Sequence, residues 1–468
     1  MSQSTRSSML LNFLLLTILA LSSLGSTRPV SKSGSGLSRS DLHSRSASPR
    51  VIPSAGEYHD ELVKDIFDAL GLSSLDKLDD WKSKLEDSGV IDDSNSPTST
   101  VTADHNASIV DENKKPSDDQ QPEDTADDPV GHRVTAEYSK RKGKKKKMPS
   151  LVGKEVGRTG YGMMRMTWNS QPPPEEQCFE TLNTALALGS NFWNGGELYG
   201  TPEYNSLHLL NKYFTKYPEN ADKVVLSIKG GLKPGQLVPD GSEANIRRSV
   251  DECLRVLDGK KTVDIFECAR QDPNTTVEHT VTILAQLVKE GKIKGIGLSE
   301  VNAETIRRAH KVHPIAAVEV ELSLWDTHTL QDGVAETCAE LGIPLVAYSP
   351  LGRGVLAGAF TSLSEIPEGD FRRVLPKYQD DTMKHNIKLV NEVKGLASRK
   401  GVAPAQIALA WLLTLSGKPG MPTIIPIPGG TTSDKVTQNL QGVPRLSDAE
   451  MAELDRILKE NEVRGARY

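Results

Sequence analysis

The sequence predicts an α/β fold, a (β/α)8 TIM barrel over residues 151–468, behind a disordered N-terminal extension. Three observations carry that expectation. Short β-branched runs alternate with longer amphipathic ones throughout 151–468, which is the pattern of βαβ units and so of a parallel sheet. These runs make about eight strands in roughly 320 residues, the size of a barrel with one or two insertions. No GxGxxG follows a strand and opens a helix: Gly157, Gly160 and Gly162 are spaced differently, so a doubly wound sheet would lack its phosphate loop.

Strands are expected at 223–229, 263–268, 292–298, 316–320, 344–348 and 422–427, short β-branched runs that read as buried, and 158–163 and 190–193 bring the count to about eight. Between them, apolar residues recur at helical spacing over 175–188, 242–257, 277–290, 303–309, 331–341 and 387–399.

Composition separates the barrel from what precedes it. The chain has 468 residues and is only 37% apolar, whereas a fully globular chain sits nearer about 45%. Part of it therefore packs no core. The formal net charge of −6 gives no reason to expect a nucleic-acid partner. Residues 1–25 have the layout of a secretory signal: Arg6, an apolar run over 9–21, then the small residues Ser23 and Gly25. That run contains Asn12 and is shorter than the roughly 18 to 20 residues of a spanning helix, so cleavage is expected and no membrane attachment after it. Residues 26–150 are rich in Ser, Asp and Pro, acidic over 92–128 and basic over 140–147, and are expected to be disordered. One amphipathic helical element interrupts them over 57–86, where Leu62, Ile66, Leu70, Leu75, Leu78, Trp81 and Leu85 recur. The basic run 139–147 reads as a linker, as a dibasic processing site at Lys140 and Arg141, or as a nuclear-import or anion-binding patch. Sequons occur at Asn106 and, in a loop, at Asn274.

Chemistry in a barrel collects at the C-terminal ends of the strands. After the second strand comes NGGELYG, 194–200, and the third ends on Lys229-Gly230-Gly231. A Tyr and a Lys thus share one mouth. A free phenol has a pKa near 10 and donates weakly at neutral pH, and a neighbouring ammonium favours the phenolate, so Lys229 is expected to make Tyr199 a usable general acid. No metal is expected, since His310 and His313 have no third ligand at suitable spacing. The 4 cysteines form no CxxC and read as buried free thiols.

The stretch 151–468 resembles the aldo-keto reductases. The resemblance rests on Tyr199 and Lys229, on GIGLSEV (295–301), EVELSLW (319–325), AYSPLGRGVLAG (347–358) and IPIPGGTTSDKVTQNL (425–440). It implies a carbonyl reductase that binds NADPH/NADP+ in an extended pose. Tyr348 would stack on the nicotinamide, Ser299 and Glu319 would hold its carboxamide, and Ser349, Leu351 and Gly352 would line the pyrophosphate. The adenosine end would fall to Thr432, Ser433, Lys435, Gln438 and Asn439, with Lys435 on the 2′-phosphate. Thr432 stands where the family often has Lys or Arg.

Two of the family's usual catalytic positions depart from type. Asn194 stands where most members have Asp, and Ala269 where they have His. Asn194 can orient Lys229 but supplies no charge, so Lys229 is expected to deprotonate more easily than it would beside a carboxylate. The fungal pyridoxal reductases resemble this chain at the same places, and in the long match LSEVNAETIRRAHKVHPI (298–315). That resemblance implies a small-molecule aldehyde substrate, pyridoxal reduced to pyridoxine, with Glu197 and Arg270 as substrate-side polar groups or as structural ion-pair partners. Two other readings stand beside it, a non-catalytic NADPH-binding barrel serving as redox sensor or interaction module, and a secreted effector-like protein. The signal segment points to the secretory pathway and the NADPH chemistry to the cytoplasm, so localisation is open.

Overall fold

The computed structural model describes residues 148–169 and 171–468. The signal-like segment, the amphipathic element at 57–86, the basic run and the Asn106 sequon lie outside the described residues.

A two-stranded hairpin, β1 (Ser150–Leu151) and β2 (Lys154–Glu155), precedes eight parallel strands: β3 (Tyr161–Gly162), β4 (Phe192–Gly196), β5 (Val225–Gly230), β6 (Val263–Cys268), β7 (Ile293–Ser299), β8 (Ile315–Glu321), β9 (Leu345–Tyr348) and β10 (Ile424–Pro426). Each strand pairs with the next in chain order from β3 to β10. The Gly160 amide donates to the Pro426 carbonyl at 2.9 Å and the Gly162 amide to the Pro428 carbonyl at 3.2 Å, which brings the last strand back to the first and closes the barrel. The expected strands therefore all form. The first is trimmed to two residues, and the positions at it are tight: a Cβ on Gly160 would sit 2.7 Å from the Phe192 ring, and one on Gly162 2.8 Å from the Ile427 carbonyl.

The helices are α1 (Met164–Thr167), α2 (Glu175–Ala187), α3 (Ser206–Lys216), α4 (Glu243–Leu257), α5 (Val277–Lys289), α6 (Ala303–Val312), α7 (Val334–Leu341), α8 (Asp380–Lys400), α9 (Pro404–Leu415), α10 (Ser433–Leu440) and α11 (Asp448–Glu460). Helix α7 starts three residues later than its apolar pattern, since Gly333 before it holds φ 82°. Helix α8 starts earlier than its pattern, with Asp380 and Asp381 in the first turn where they oppose the helix dipole. Among the described residues no helix is long and apolar enough to cross a membrane.

Two cores result. The outer one packs helices on the barrel wall and includes Trp193, Trp325 and Trp411, each at most 1% exposed. The inner one, Leu151, Val156, Phe192, Val225, Ile265, Ala317, Val346, Ile425 and Ile427, fills the N-terminal end of the barrel under the hairpin. Gly295 makes room for that cover, since a Cβ there would lie 2.6 Å from Val152 Cγ1. With that end plugged, the C-terminal end is left for ligands. Cys178, Cys253 and Cys338 are buried and Cys268 half-buried, all as free thiols. His310 Nδ1 accepts from the Ile315 amide at 3.2 Å, a structural contact between α6 and β8. Asn274 lies exposed in the loop after β6.

Candidate active site

Four strands bring polar side chains into the barrel mouth. Asn194 comes from β4, Lys229 from β5, Glu267 from β6 and Glu319 from β8, and each is at most 5% exposed. Lys229 pairs with Glu319 at very short range and with Glu267 Oε1 at 3.2 Å. Asn194 Nδ2 donates to Glu319 Oε2 at 2.6 Å and, at 3.4 Å, to Glu267 Oε1. The Lys229 ammonium reaches Asn194 Oδ1 only at 3.5 Å.

These contacts correct the sequence reading of Lys229. Without the usual Asp, the ammonium was expected to lose its proton more easily. Burial alone pushes in that direction, but Glu267 and Glu319 outweigh it and hold Lys229 well above its ordinary range. The charge that Asn194 lacks is supplied by Glu267 on the neighbouring strand and by Glu319 on β8.

Tyr199 stands on the loop after β4, 8% exposed. The local sequence explains its position. A Cβ on Gly196 would meet the Tyr199 ring at 3.1 Å, and Gly200 takes φ 134°, so these two glycines let the ring fold back over the strand end. Trp168 stacks on it with centroids 5.9 Å apart, and the Thr167 hydroxyl donates to the Tyr199 carbonyl at 2.6 Å. Lys229 does pull the phenol downward, as expected. Burial is the larger effect, however, and Glu319 and Glu267 add to it, so the phenol is pushed up to about 12. In this site Tyr199 keeps its proton firmly.

Ala269 ends the β6 run at 4% exposure and offers no donor side chain. Beside it, Arg270 donates to the Ala269 carbonyl at 2.7 Å and acts electrostatically on Tyr199. Glu197 is a structural partner: its carboxylate binds Arg248 at 2.6 Å and accepts from the Ser249 hydroxyl.

The residues assigned to a dinucleotide run along the mouth from β7 to α10. Ser299 and Ser433 both carry buried hydroxyl oxygens with no partner among the described residues, and buried hydroxyls are ordinarily satisfied. Both positions therefore suit an added polar ligand. Ser349 and Gly352 hold φ 49° and 54° in the turn after β9, which turns the backbone sharply beside Leu351. Thr432 caps α10 by accepting from the Lys435 amide at 3.3 Å. The Lys435 side chain is exposed, with no ion pair among the described residues, at a helix start that favours anions. Gln438 is exposed, and Asn439 braces the preceding loop by donating to the Gly429 carbonyl at 3.2 Å.

Three features at the mouth went unread in the sequence. Glu267 is one; its signal was an acid, the second after Asp264, inside the short strand run VDIFEC. The C-terminal residues are the second. Tyr468 shares a 2.8 Å hydrogen bond between hydroxyls with Tyr348, and Arg467 pairs with Glu300. Tyr348 is thereby reached from the tail as well as from the barrel. The third is Arg353, paired with Glu321 at 3.1 Å and lying 5.1 Å from the Tyr468 ring centroid.

The chain belongs to the aldo/keto reductase family, whose model is matched by residues 158–459. Members generally use NAD(P)H. Among similar proteins is "Probable pyridoxal reductase 2" of Schizosaccharomyces pombe, 39% identical over 327 residues that cover 69% of this chain and 97% of the relative. A Saccharomyces cerevisiae protein also named for pyridoxal reduction is 38% identical over 331 residues, 66% of this chain and 95% of the relative. The glycerol dehydrogenase of Gluconobacter oxydans shares the fold with a TM-score of 0.59 at 22% identity, covering 68% of this chain and 96% of its own.

Proposed function

We propose that the chain reduces an aldehyde with NADPH, most specifically pyridoxal to pyridoxine, and that residues 151–468 form the catalytic unit behind an export-signal-like segment (1–25) and an extension (26–150). The observation that carries this reading is Tyr199 and Lys229 together at one barrel mouth, each buried and each acting on the other's charge. Bound at the mouth, the cofactor supplies hydride to the aldehyde carbon. Tyr199 donates its proton to the aldehyde oxygen, and Lys229 stabilises the phenolate left behind. Burial excludes water from both groups, which strengthens the attraction between ammonium and phenolate as the proton leaves.

The hydroxyls of Ser299 and Ser433 and the exposed ammonium of Lys435, which have no partner among the described residues, support the assignment of the cofactor track. Lys435 matters for the choice of cofactor, because an exposed ammonium at a helix start is placed to meet a 2′-phosphate that NADH lacks. Ala269 removes the His donor that would orient a carbonyl, and Arg270 beside it, which acts electrostatically on Tyr199, could take a polar substituent of the substrate. The likeness to the two fungal relatives supports pyridoxal. The test is NADPH oxidation by the purified full-length chain with pyridoxal and a panel of other aldehydes. Turnover highest with pyridoxal is expected; no turnover with any aldehyde would defeat the proposal.

A further inference from the structure

Delivering one proton from Tyr199 calls for one nearby ammonium, yet the barrel mouth also buries two carboxylates. Lys229 Nζ lies 3.2 Å from Glu267 Oε1 and closer still to Glu319 Oε1, and Asn194 Nδ2 donates to both acids. Glu267 and Glu319 are each 2% exposed. The arrangement is built into the sheet. Glu267 is in register with Lys229 on one side and Gly297 on the other. A Cβ on Gly297 would lie 3.0 Å from Glu267 Cβ and 3.2 Å from Oε2. The glycine in β7 is thus what admits the Glu267 side chain into the barrel.

The charges do not balance as drawn. Two carboxylates and one ammonium leave a net negative charge, and Asn194 is neutral. A buried charge without a partner is costly, and two neighbouring carboxylates avoid that cost by keeping one proton between them. Among the described residues, Tyr199 feels both acids, Arg270 acts on Tyr199, and the Cys268 thiol lies beside Glu267, with burial and Glu267 pushing that thiol up to about 12. None of them forms an ion pair with Glu267 or Glu319. Burial and the Glu267 charge push Glu319 up to about 8, in keeping with a proton retained at neutral pH.

We propose that Glu267 and Glu319 hold one proton in common, and that Glu267 is a positioning residue that keeps Lys229 charged and, through it, restores the Tyr199 phenol after each turnover. This rests on the reductase reading. The protons balance as follows. Tyr199 gives its proton to the oxygen of the reduced carbonyl and becomes phenolate. The Lys229 ammonium passes a proton to that phenolate and becomes an amine. The amine takes the proton shared by the carboxylates, leaving both ionised beside a restored ammonium. Solvent then returns one proton to the pair, so each hydride transferred consumes one proton.

Infrared spectroscopy of the full-length chain tests the shared proton, and steady-state kinetics tests the relay. The parent should show a carboxylic-acid carbonyl band at neutral pH that fades as the pH passes about 8. Glu267→Gln and Glu319→Gln should each lose it, because one carboxylate opposite one ammonium needs no proton. Glu267→Gln keeps the shape of the side chain; it should lower kcat with little change in KM and abolish the alkaline limb seen in the parent near that pH. A merely structural Glu267 would leave the limb where it is. Absence of the band from the parent, or its survival in both variants, overturns the proposal. A band in a chain that reduces no aldehyde would refute the reductase reading and the relay with it, and leave the shared proton standing.

Discussion

Replacing Lys229 with Met removes an ammonium while keeping an unbranched chain of similar length, so the response reports on charge. Lys229 is 5% exposed, between two carboxylates each 2% exposed. Deleting one partner of a buried ion pair typically costs about 3 to 5 kcal/mol, since the remaining charge is left uncompensated. The two acids can escape part of that cost by binding protons, which makes it depend on pH. A carboxyl raised in the folded state contributes stability that is fully present below its unfolded value and lost as pH rises through its folded one. In the parent, Glu319 is raised from 4.5 to about 8. Between about pH 5 and 8 the native state therefore holds one extra proton, and this group alone lowers stability by about 1.4 kcal/mol per pH unit. Lys229 is raised as well, but its contribution is complete below 10.5 and adds no slope in that window. With Met at position 229 two protons are retained, and the slope becomes about 2.7 kcal/mol per unit. Urea unfolding of the full-length chain, followed by the fluorescence of its buried tryptophans, should show parent and variant diverging by about 1.4 kcal/mol for each unit of pH between about 5.5 and 7.5. Parallel stability curves would refute the reasoning, because they would mean that the carboxylates do not depend on Lys229 for their charge.

Lys435→Ala should weaken NADPH binding by about 1.5 to 3 kcal/mol, roughly 10- to 150-fold, with little change for NADH; equal losses in titrations with both cofactors would assign Lys435 to the fold. Asp326, despite burial, is held well below the usual carboxylate range by His328 and Lys377, the latter at 2.6 Å. Its depressed value contributes stability that is present above the unfolded value of 3.8 and lost as pH falls. Asp326→Asn should therefore destabilise by about 3 kcal/mol near neutral pH, and chemical denaturation should show the gap narrowing towards about pH 3. Limited proteolysis of the full-length chain should leave a stable core that begins between Ala136 and Leu151; a protected core starting near Glu57 would contradict the proposed boundary.

The barrel was legible because most of its strands are short apolar runs separated by helical patterns, a signal that survives without knowledge of contacts. Tyr199 and Lys229 were legible for a similar reason, since strand ends in a barrel all open on one mouth. Glu267 was not. Its neighbours in VDIFEC say that it belongs to a strand, but only the closed barrel shows that it meets Lys229, Glu319 and Asn194, three residues on three other strands. The same gap reversed the expected behaviour of Lys229: one missing Asp at position 194 was visible, and two compensating acids, one on the strand next to Lys229 and one three strands from it, were not. The effect on Tyr199 was right in sign for Lys229 alone and was outweighed by burial, which sequence spacing does not report. Nor does anything in the composition of the last residues announce that Arg467 and Tyr468 return to Glu300 and Tyr348.

The central claim is that Tyr199 delivers the proton, and single-turnover hydride transfer with NADPH prebound to the full-length chain tests it most directly. Tyr199→Phe preserves the ring that packs against Trp168 and Gly196 and removes only the hydroxyl. A positioned general acid is typically worth about 10² to 10⁴ in rate. The variant should bind NADPH as the parent does and reduce pyridoxal slower by that factor. Reduction by Tyr199→Phe at the parent's rate would show that Tyr199 is a packing residue and that the proton comes from elsewhere.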